Sequence, residues 1–224
     1  MSISKSLAGF ALLAMVVAGA TERFDYVVRN KFFAGFAGDR EALAEAMKVC
    51  EAVLAENANH AEARVWYGSG QMVQSRELMR TDPAKGMELY SAGLKNMDRA
   101  VEIAPDDVGV RAPRAAVIQA VSHFVPEQQK SVLLARVIAD YQHVFDIQQA
   151  YWDKLGTHPK GELLFGLADA YSRTGENEKA AVYFEKLQAE LQGSVYAKRA
   201  ATWLQTRTPL PAAETRCVGC HTAK

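Results

Sequence analysis

The chain lacks an excess of charge of either sign: among its 224 residues, 26 lysines and arginines are matched by 26 aspartates and glutamates. Nucleic-acid-binding domains and polybasic membrane-binding segments usually carry an excess of positive charge, so we expect neither kind of partner. The chain also lacks runs in which apolar and polar residues alternate, a pattern typical of half-buried strands. We therefore predict an all-α fold.

Sequence motifs for the common catalytic centres are absent as well. There is no metal-binding H-E-x-x-H, no glycine-rich phosphate loop and no recognisable Ser-His-Asp set. We therefore expect a protein that is not an enzyme of these classes.

An apolar run near the N-terminus, Leu7 to Ala18, is too short to span a bilayer comfortably. It follows Lys5 and ends in an Ala-x-Ala sequence at 18–20, which together are typical of a cleaved signal peptide. We predict that residues 1–20 are removed and that the mature protein lies in a bacterial periplasm with no stable membrane span. An uncleaved membrane anchor is the alternative.

Cysteine is scarce, with three in the whole chain. Cys50 lies on one helical stripe with Leu43, Met47 and Leu54, and we expect it to be a small buried apolar residue. The other two, Cys217 and Cys220, stand close to the C-terminus.

The sequence from Cys217 to His221 reads C-x-x-C-H, the attachment motif of a c-type haem. Two thiols at this spacing can each add to one vinyl group of the same porphyrin, and the adjacent imidazole can then bind the iron. The motif predicts one covalent haem c, held by Cys217 and Cys220, with His221 as the proximal ligand.

C-x-x-C also occurs in redox dithiols, in disulfides and as half of a zinc site. A zinc site needs a second pair of ligands, and no Cys or His pair stands near Cys217. A thioredoxin-like dithiol usually follows a strand, and no such pattern precedes it. A bare disulfide or dithiol is the alternative to haem.

Helix-capping residues, prolines and apolar spacing divide the rest of the chain into helices. Asp39 is a predicted N-cap, Pro83 and Pro113 are predicted first-turn residues, and Gly156 is a predicted C-terminal stop. The predicted helices are 40–56, one from 61 to the break at 81–83, 83–104, 113–124, 126–155 and 195–204, with a helical pair within 161–194 and a further helix within 21–38.

The pair within 161–194 resembles the 34-residue tetratricopeptide (TPR) repeat. Gly175 makes the turn between its helices; the apolar positions that carry the resemblance are Leu164, Leu167, Ala168, Tyr171, Ala180, Phe184 and Leu187. A weaker likeness covers 61–105, where Gly68 fits. The resemblance implies a TPR-like helical-hairpin array, an α-solenoid, over 21–205, followed by a short irregular tail over 206–224.

The tail contains Pro209 and Pro211, which disfavour regular structure, and its linker is long enough to reach the helical body. The body can therefore supply the sixth iron ligand, for which His158, beside Pro159, is our candidate. We expect structural or solvent-exposed roles for the other body histidines, His60, His123 and His143, and for the methionines Met72 and Met79. We consider Arg111, Arg114 and Arg216 as partners of the haem propionates.

These observations predict a periplasmic c-type haem protein on a TPR-like scaffold that transfers electrons or senses redox state with a protein partner. Haem-ligation machinery is an implied second partner, and peroxidase-like activity at an open haem is left open. The alternative is a protein- or peptide-binding or transport-associated module whose tail cysteines form a disulfide or dithiol.

Overall fold

A computed structural model describes residues 23–215. The predicted signal peptide and the motif residues Cys217, Cys220 and His221 lie outside this range, as does Arg216. Within it the protein is all-α, as predicted, and contains no strand. The helices are α1 (Phe24–Phe36), α2 (Arg40–Glu56), α3 (Ala61–Leu78), α4 (Pro83–Ile103), α5 (Val108–Val121), α6 (Glu127–Gln148), α7 (Thr157–Arg173), α8 (Asn177–Glu190) and α9 (Val195–Thr206).

Local capping explains where the early helices begin. The Asp39 carboxylate accepts a hydrogen bond from the backbone N–H of Ala42 at 3.0 Å, and Asp82 does the same for Lys85 at 3.1 Å. Each cap satisfies an N–H group that has no partner inside the helix. The predicted starts of α2 and α4 are confirmed.

Three predicted helix boundaries are wrong. The helix predicted to start at Pro113 begins at Val108, because Asp107 caps it by accepting a hydrogen bond from the backbone N–H of Gly109 at 2.7 Å. Pro113 therefore lies inside α5, which ends at Val121 rather than 124. Gly156 has a φ of −72° and is the N-cap residue of α7, not a left-handed stop after α6.

The helix predicted over 126–155 is also interrupted. α6 ends at Gln148 and a short 3₁₀ segment, Gln149–Lys154, follows, in which Tyr151 leaves the helical conformation. This break allows Trp152 to enter the core, where its indole N–H donates to Glu190 of α8 at 2.8 Å. Packing of Trp152 therefore outweighs the continuous helical pattern of the sequence.

The helices pack in sequential pairs: α1 on α2, α3 on α4, α5 on α6 and α7 on α8. The odd-numbered helices also contact one another in order, from α1 through α9. At the α3–α4 contact, a Cβ added to Gly68 would come within 2.8 Å of the Gly93 carbonyl oxygen, so the close approach requires glycine there. Gly68 is thus a position at which two paired helices approach closely.

The core runs along the whole stack of helices. Cys50 and Phe184 are fully buried within it, as predicted. A buried charge network also joins three helices, because Asp140 of α6 accepts hydrogen bonds from Arg111 and Arg114 of α5, and Arg114 also pairs with Asp98 of α4. In the described part of the chain, no helix is both long and apolar enough to cross a membrane.

Candidate functional site

The irregular segment 207–215, which follows α9, folds back onto the helical body. It starts with Arg207 in the left-handed conformation, at a φ of 55°, which turns the chain away from the axis of α9. Leu210 then packs in the core with 6% of its surface exposed. At the end of the segment the Thr215 hydroxyl lies 3.0 Å from Nε2 of His123. The chain is thus held against the C-terminal end of α5 two residues before Cys217.

The hydrogen bonds of His123 fix which ring nitrogen carries the proton. Arg173 Nη1 lies 3.2 Å from His123 Nε2, and a guanidinium group can only donate. Nε2 is therefore an acceptor, and the proton of the neutral ring is on Nδ1. Burial, with smaller contributions from the positive charges of Arg173 and Lys130, lowers the pKa of His123 to about 4. The imidazole is neutral at physiological pH, with its Nε2 lone pair facing Arg173 and Thr215.

A buried polar network holds Arg173 in place beneath this histidine. Asp169, with 1% of its surface exposed, accepts hydrogen bonds from Gln119 Nε2 at 2.7 Å and from Arg173 Nη1 at 3.4 Å. Arg173 Nη2 also donates to the Ser122 hydroxyl at 2.7 Å. Burial raises the pKa of Asp169, although the positive charge of Arg173 and the Gln119 hydrogen bond oppose that shift. The network fixes the guanidinium on which the orientation of His123 depends.

A small cavity lies between α5, α7, α9 and Thr215. Its volume is about 60 Å³, room for roughly two water molecules. A Cβ added to Gly166 in its wall would lie 2.3 Å from the Tyr141 ring. The absence of a side chain at Gly166 therefore allows α7 to pack closely on Tyr141 of α6. A porphyrin cannot enter this space. The lining residues are Ala116, Gln119, Ala120, His123, Tyr141, Glu162, Phe165, Gly166, Tyr196, Arg199 and Thr215.

His158, the predicted sixth ligand, contacts Glu162 and Tyr196 of the cavity lining and is not itself among the lining residues. Its Nδ1 lies 3.1 Å from the Tyr196 hydroxyl and its Nε2 lies 3.4 Å from Glu162 Oε2. Burial raises the pKa of Glu162 to about 7, although 33% of its side-chain surface remains exposed. Burial, followed by the charge of Arg29, lowers the pKa of His158. The role of His158 as a ligand stays a prediction.

The raised pKa of Glu162 makes the stability of the protein depend on pH. The folded state holds this proton more tightly than the unfolded state, in which the pKa is near its ordinary value of 4.5. The folded protein therefore binds more protons between pH 4.5 and about 7, so its stability falls as the pH rises through that range.

We expect Glu162→Gln to remove the fall in stability that the wild type shows between pH 4.5 and about 7. Urea midpoints of the variant and the wild type should be similar below pH 4.5, and the variant should become the more stable of the two above pH 7. Glu185→Gln, at an exposed position of α8, controls for the loss of one acidic group from the net charge. A wild-type advantage over Glu162→Gln that grows with pH would show that the carboxylate is stabilised by the fold.

The other predicted site residues lie apart from this cavity. Met72 is fully buried, and His60 Nδ1 accepts the N-cap hydrogen bond of α3 from Ala63 N–H at 3.2 Å. His143 pairs with Asp106 at 2.7 Å. Arg111 and Arg114 are largely buried in their contacts with Asp140. Across residues 23–215, no group of three or more His, Cys, Asp or Glu side chains is placed to hold a metal ion.

Sequence reasoning missed Glu162, Asp169 and Arg173 as members of the site. Their spacing carried a partial signal, because His158 and Glu162, like Asp169 and Arg173, are four residues apart and share a helix face. The contact from Thr215 to His123 had no such local signal.

A second, more polar groove of about 240 Å³ lies between α2, α3 and α4. Tyr67 crosses it to donate a hydrogen bond from its hydroxyl to Glu51 at 3.0 Å. Amide and ammonium groups at its edge can bind carbonyl and carboxylate oxygens. They belong to Lys48, Gln71 and Gln74.

Likeness to characterised proteins supplies no role for either the cavity or the groove. Comparisons of the chain with protein-family models, curated proteins and solved structures found no match.

Proposed function

We propose that the protein is a periplasmic c-type haem protein that transfers electrons or senses redox state with a protein partner. The observation that carries this proposal is the C-x-x-C-H sequence, in which Cys217 and Cys220 would form the two thioethers and His221 would bind the iron. The apolar N-terminal segment with its Ala-x-Ala sequence supports export, and export brings the thiols to the compartment in which haem-ligation machinery acts on them.

The residues around the cavity are chemically suited to a haem at its opening. His123 offers a neutral imidazole, Arg199 a guanidinium that matches a propionate, and Phe165 an aromatic surface. When bound, haem c supplies one-electron redox chemistry. These residues would orient the ring and balance its propionate charge. A ring of this size would not enter the cavity, so an exposed edge would be available for electron exchange with a partner protein.

The helical body supports a TPR-like scaffold for this haem. Each hairpin packs on its neighbour, and the odd-numbered helices contact one another in order, which is the arrangement that TPR arrays use to build a binding surface. Within 161–194 the turn residue Gly175 has a φ of +81°, and both helices bury the positions that carry the resemblance. We propose that this surface binds the redox partner.

The groove between α2, α3 and α4 favours a second candidate function. Its amide, ammonium and phenol groups suit an extended peptide, so the body could serve as a peptide-binding or transport-associated module. In that case Cys217 and Cys220 would form a disulfide or dithiol rather than thioethers.

Covalent haem decides between the two. The full chain, with residues 1–20 retained, should be expressed in a bacterium that carries a haem-ligation system and, as the control, in one that lacks it. We expect a haem-stained band after denaturing electrophoresis and a c-type pyridine haemochrome spectrum only with the system present. Exported protein with no covalent haem, and with Cys217 and Cys220 joined in a disulfide, would overturn the proposal and favour the binding module.

A further inference from the structure

We propose that the groove between α2, α3 and α4 binds a free amino acid with an aliphatic side chain, as its zwitterion. The amide of Gln71 and the ammonium group of Lys48 hold the carboxylate of this ligand, and the carboxylate of Glu51 holds its amino group. The inference goes beyond the proposed function and needs no haem, because the groove shares no residue with the C-x-x-C-H motif or with the cavity between α5, α7 and α9.

The first argument is a buried amide group with one hydrogen-bond donor left over. Gln71 has 7% of its surface exposed and lines the groove. Arg64, which can only donate, bonds to Asn96 Oδ1 at 2.8 Å, so Asn96 Nδ2 is the donor to Gln71 Oε1, also at 2.8 Å. Gln71 Nε2 is therefore the remaining end of the amide, and it has no acceptor among the described residues. A ligand that supplies an acceptor removes the cost of this unmet donor.

The second argument is that the groove carries one charge of each sign and that these charges are not paired. Lys48 and Glu51 both line the groove from exposed positions of α2. Within residues 23–215 neither side chain forms an ion pair, and Glu51 Oε1 instead accepts a hydrogen bond from the Tyr67 hydroxyl at 3.0 Å. Lysine on the N-terminal side of glutamate is the less favourable order for pairing along a helix. Both charges are therefore available to a ligand.

The third argument is the size and the apolar part of the groove. Its volume of about 240 Å³ has room for roughly eight water molecules, which suits a molecule as small as an amino acid. Met47, Ala44 and Leu89 line it beside the polar groups. An aliphatic side chain in contact with these residues removes apolar surface from water on both sides.

The charges also distinguish a free amino acid from the interior of a peptide. A peptide backbone between its ends is uncharged, so its carbonyl groups satisfy Gln71 Nε2 but leave Lys48 and Glu51 without ionic partners. In a free amino acid the carboxylate and the ammonium group are attached to one carbon atom. Residues three apart on a helix are neighbours, with Cβ atoms about 5–6 Å apart, so Lys48 and Glu51 can reach the two groups of one such molecule.

The test is isothermal titration calorimetry of the full-length protein with three probes. They are leucine, isocaproate, which lacks the amino group of leucine, and N-acetyl-leucine amide, which carries no charge. We expect leucine to bind, isocaproate to bind at least about tenfold more weakly, and the uncharged derivative to give no measurable binding. Absence of leucine binding would overturn the proposal. Equal affinity for leucine and N-acetyl-leucine amide would also overturn it, and would favour a peptide in the groove.

Two variants at exposed positions assign the ends of the ligand. Lys48→Met should weaken leucine and isocaproate alike by about tenfold, because both probes carry the carboxylate. Glu51→Gln should weaken leucine by a similar factor without weakening isocaproate, which has no amino group. Lys198→Met, at an exposed position of α9, controls for the loss of one positive charge and should change neither affinity.

Gln71→Glu tests the buried amide directly. The variant keeps an oxygen for Asn96 Nδ2 and replaces the Nε2 donor by a second oxygen, which repels a carboxylate, so neither leucine nor isocaproate should bind measurably. Far-UV circular dichroism checks that each variant is folded. If Gln71→Glu does not fold, the two exposed variants decide, and an unchanged leucine affinity in Lys48→Met or in Glu51→Gln would refute the assignment.

Discussion

Replacement of Phe184 by alanine lowers the free energy of unfolding by about 3–5 kcal/mol, the usual cost of deleting a buried phenylalanine ring. Phe184 is fully buried on α8. Its ring stacks on Trp203 of α9, with centroids 4.5 Å apart, and meets Phe165 of α7 edge-on at 6.2 Å. Because its neighbours belong to two other helices, they cannot fill the space without a helix shift. Urea denaturation followed by circular dichroism measures the effect.

Val182→Ala is the matched control for this experiment. Val182 lies on the same helix with 60% of its surface exposed, so its truncation should change the free energy by less than about 0.5 kcal/mol. Equal effects of the two substitutions would show that α8 does not pack on α7 and α9 as described.

We expect replacement of Cys217 and Cys220 together by alanine to abolish the proposed covalent haem and to leave the helical content unchanged. The thioethers need both thiols, whereas the last helix of the described chain ends at Thr206. Haem staining after denaturing electrophoresis and far-UV circular dichroism measure the two parts of this expectation.

Cys50→Ala should retain the haem and serves as the control. Cys50 is fully buried, and burial raises the pKa of its thiol to about 12, so this residue supplies almost no reactive thiolate. A double variant of Cys217 and Cys220 that lost its helical signal would mean that haem organises the body, contrary to the independent helical core described above.

Features fixed by neighbours in sequence could be predicted. The starts of α2 and α4 depend on Asp39 and Asp82, whose carboxylates bond to N–H groups three residues ahead. The helix start predicted at Pro113 was wrong, because proline usually occupies the first turn of a helix. The Asp107 cap starts α5 earlier, and the helix tolerates the missing N–H of Pro113. The break after α6 depends on the tertiary packing of Trp152, which no local pattern contains.

In the candidate site, too, the local feature could be predicted from sequence and the long-range contact could not. The C-x-x-C-H motif is local and could be recognised from its spacing. The contact between Thr215 and His123 could not be predicted from sequence, because it depends on where the segment after α9 returns. His158 was chosen from its local position beside Pro159, whereas the Thr215–His123 contact joins residues 92 positions apart.

That long-range contact has a consequence for how the end of the chain behaves as a polymer. Closing a flexible loop of 92 residues costs on the order of 4 kcal/mol in conformational entropy. Here α6 to α9 make up most of the chain between His123 and Thr215, and their packing already fixes its path. The contact of Thr215 with His123 therefore requires only the short segment after α9 to become ordered. Thr215 is thus carried on a short segment from a rigid frame, which raises its effective concentration beside His123 far above that at the end of a free coil.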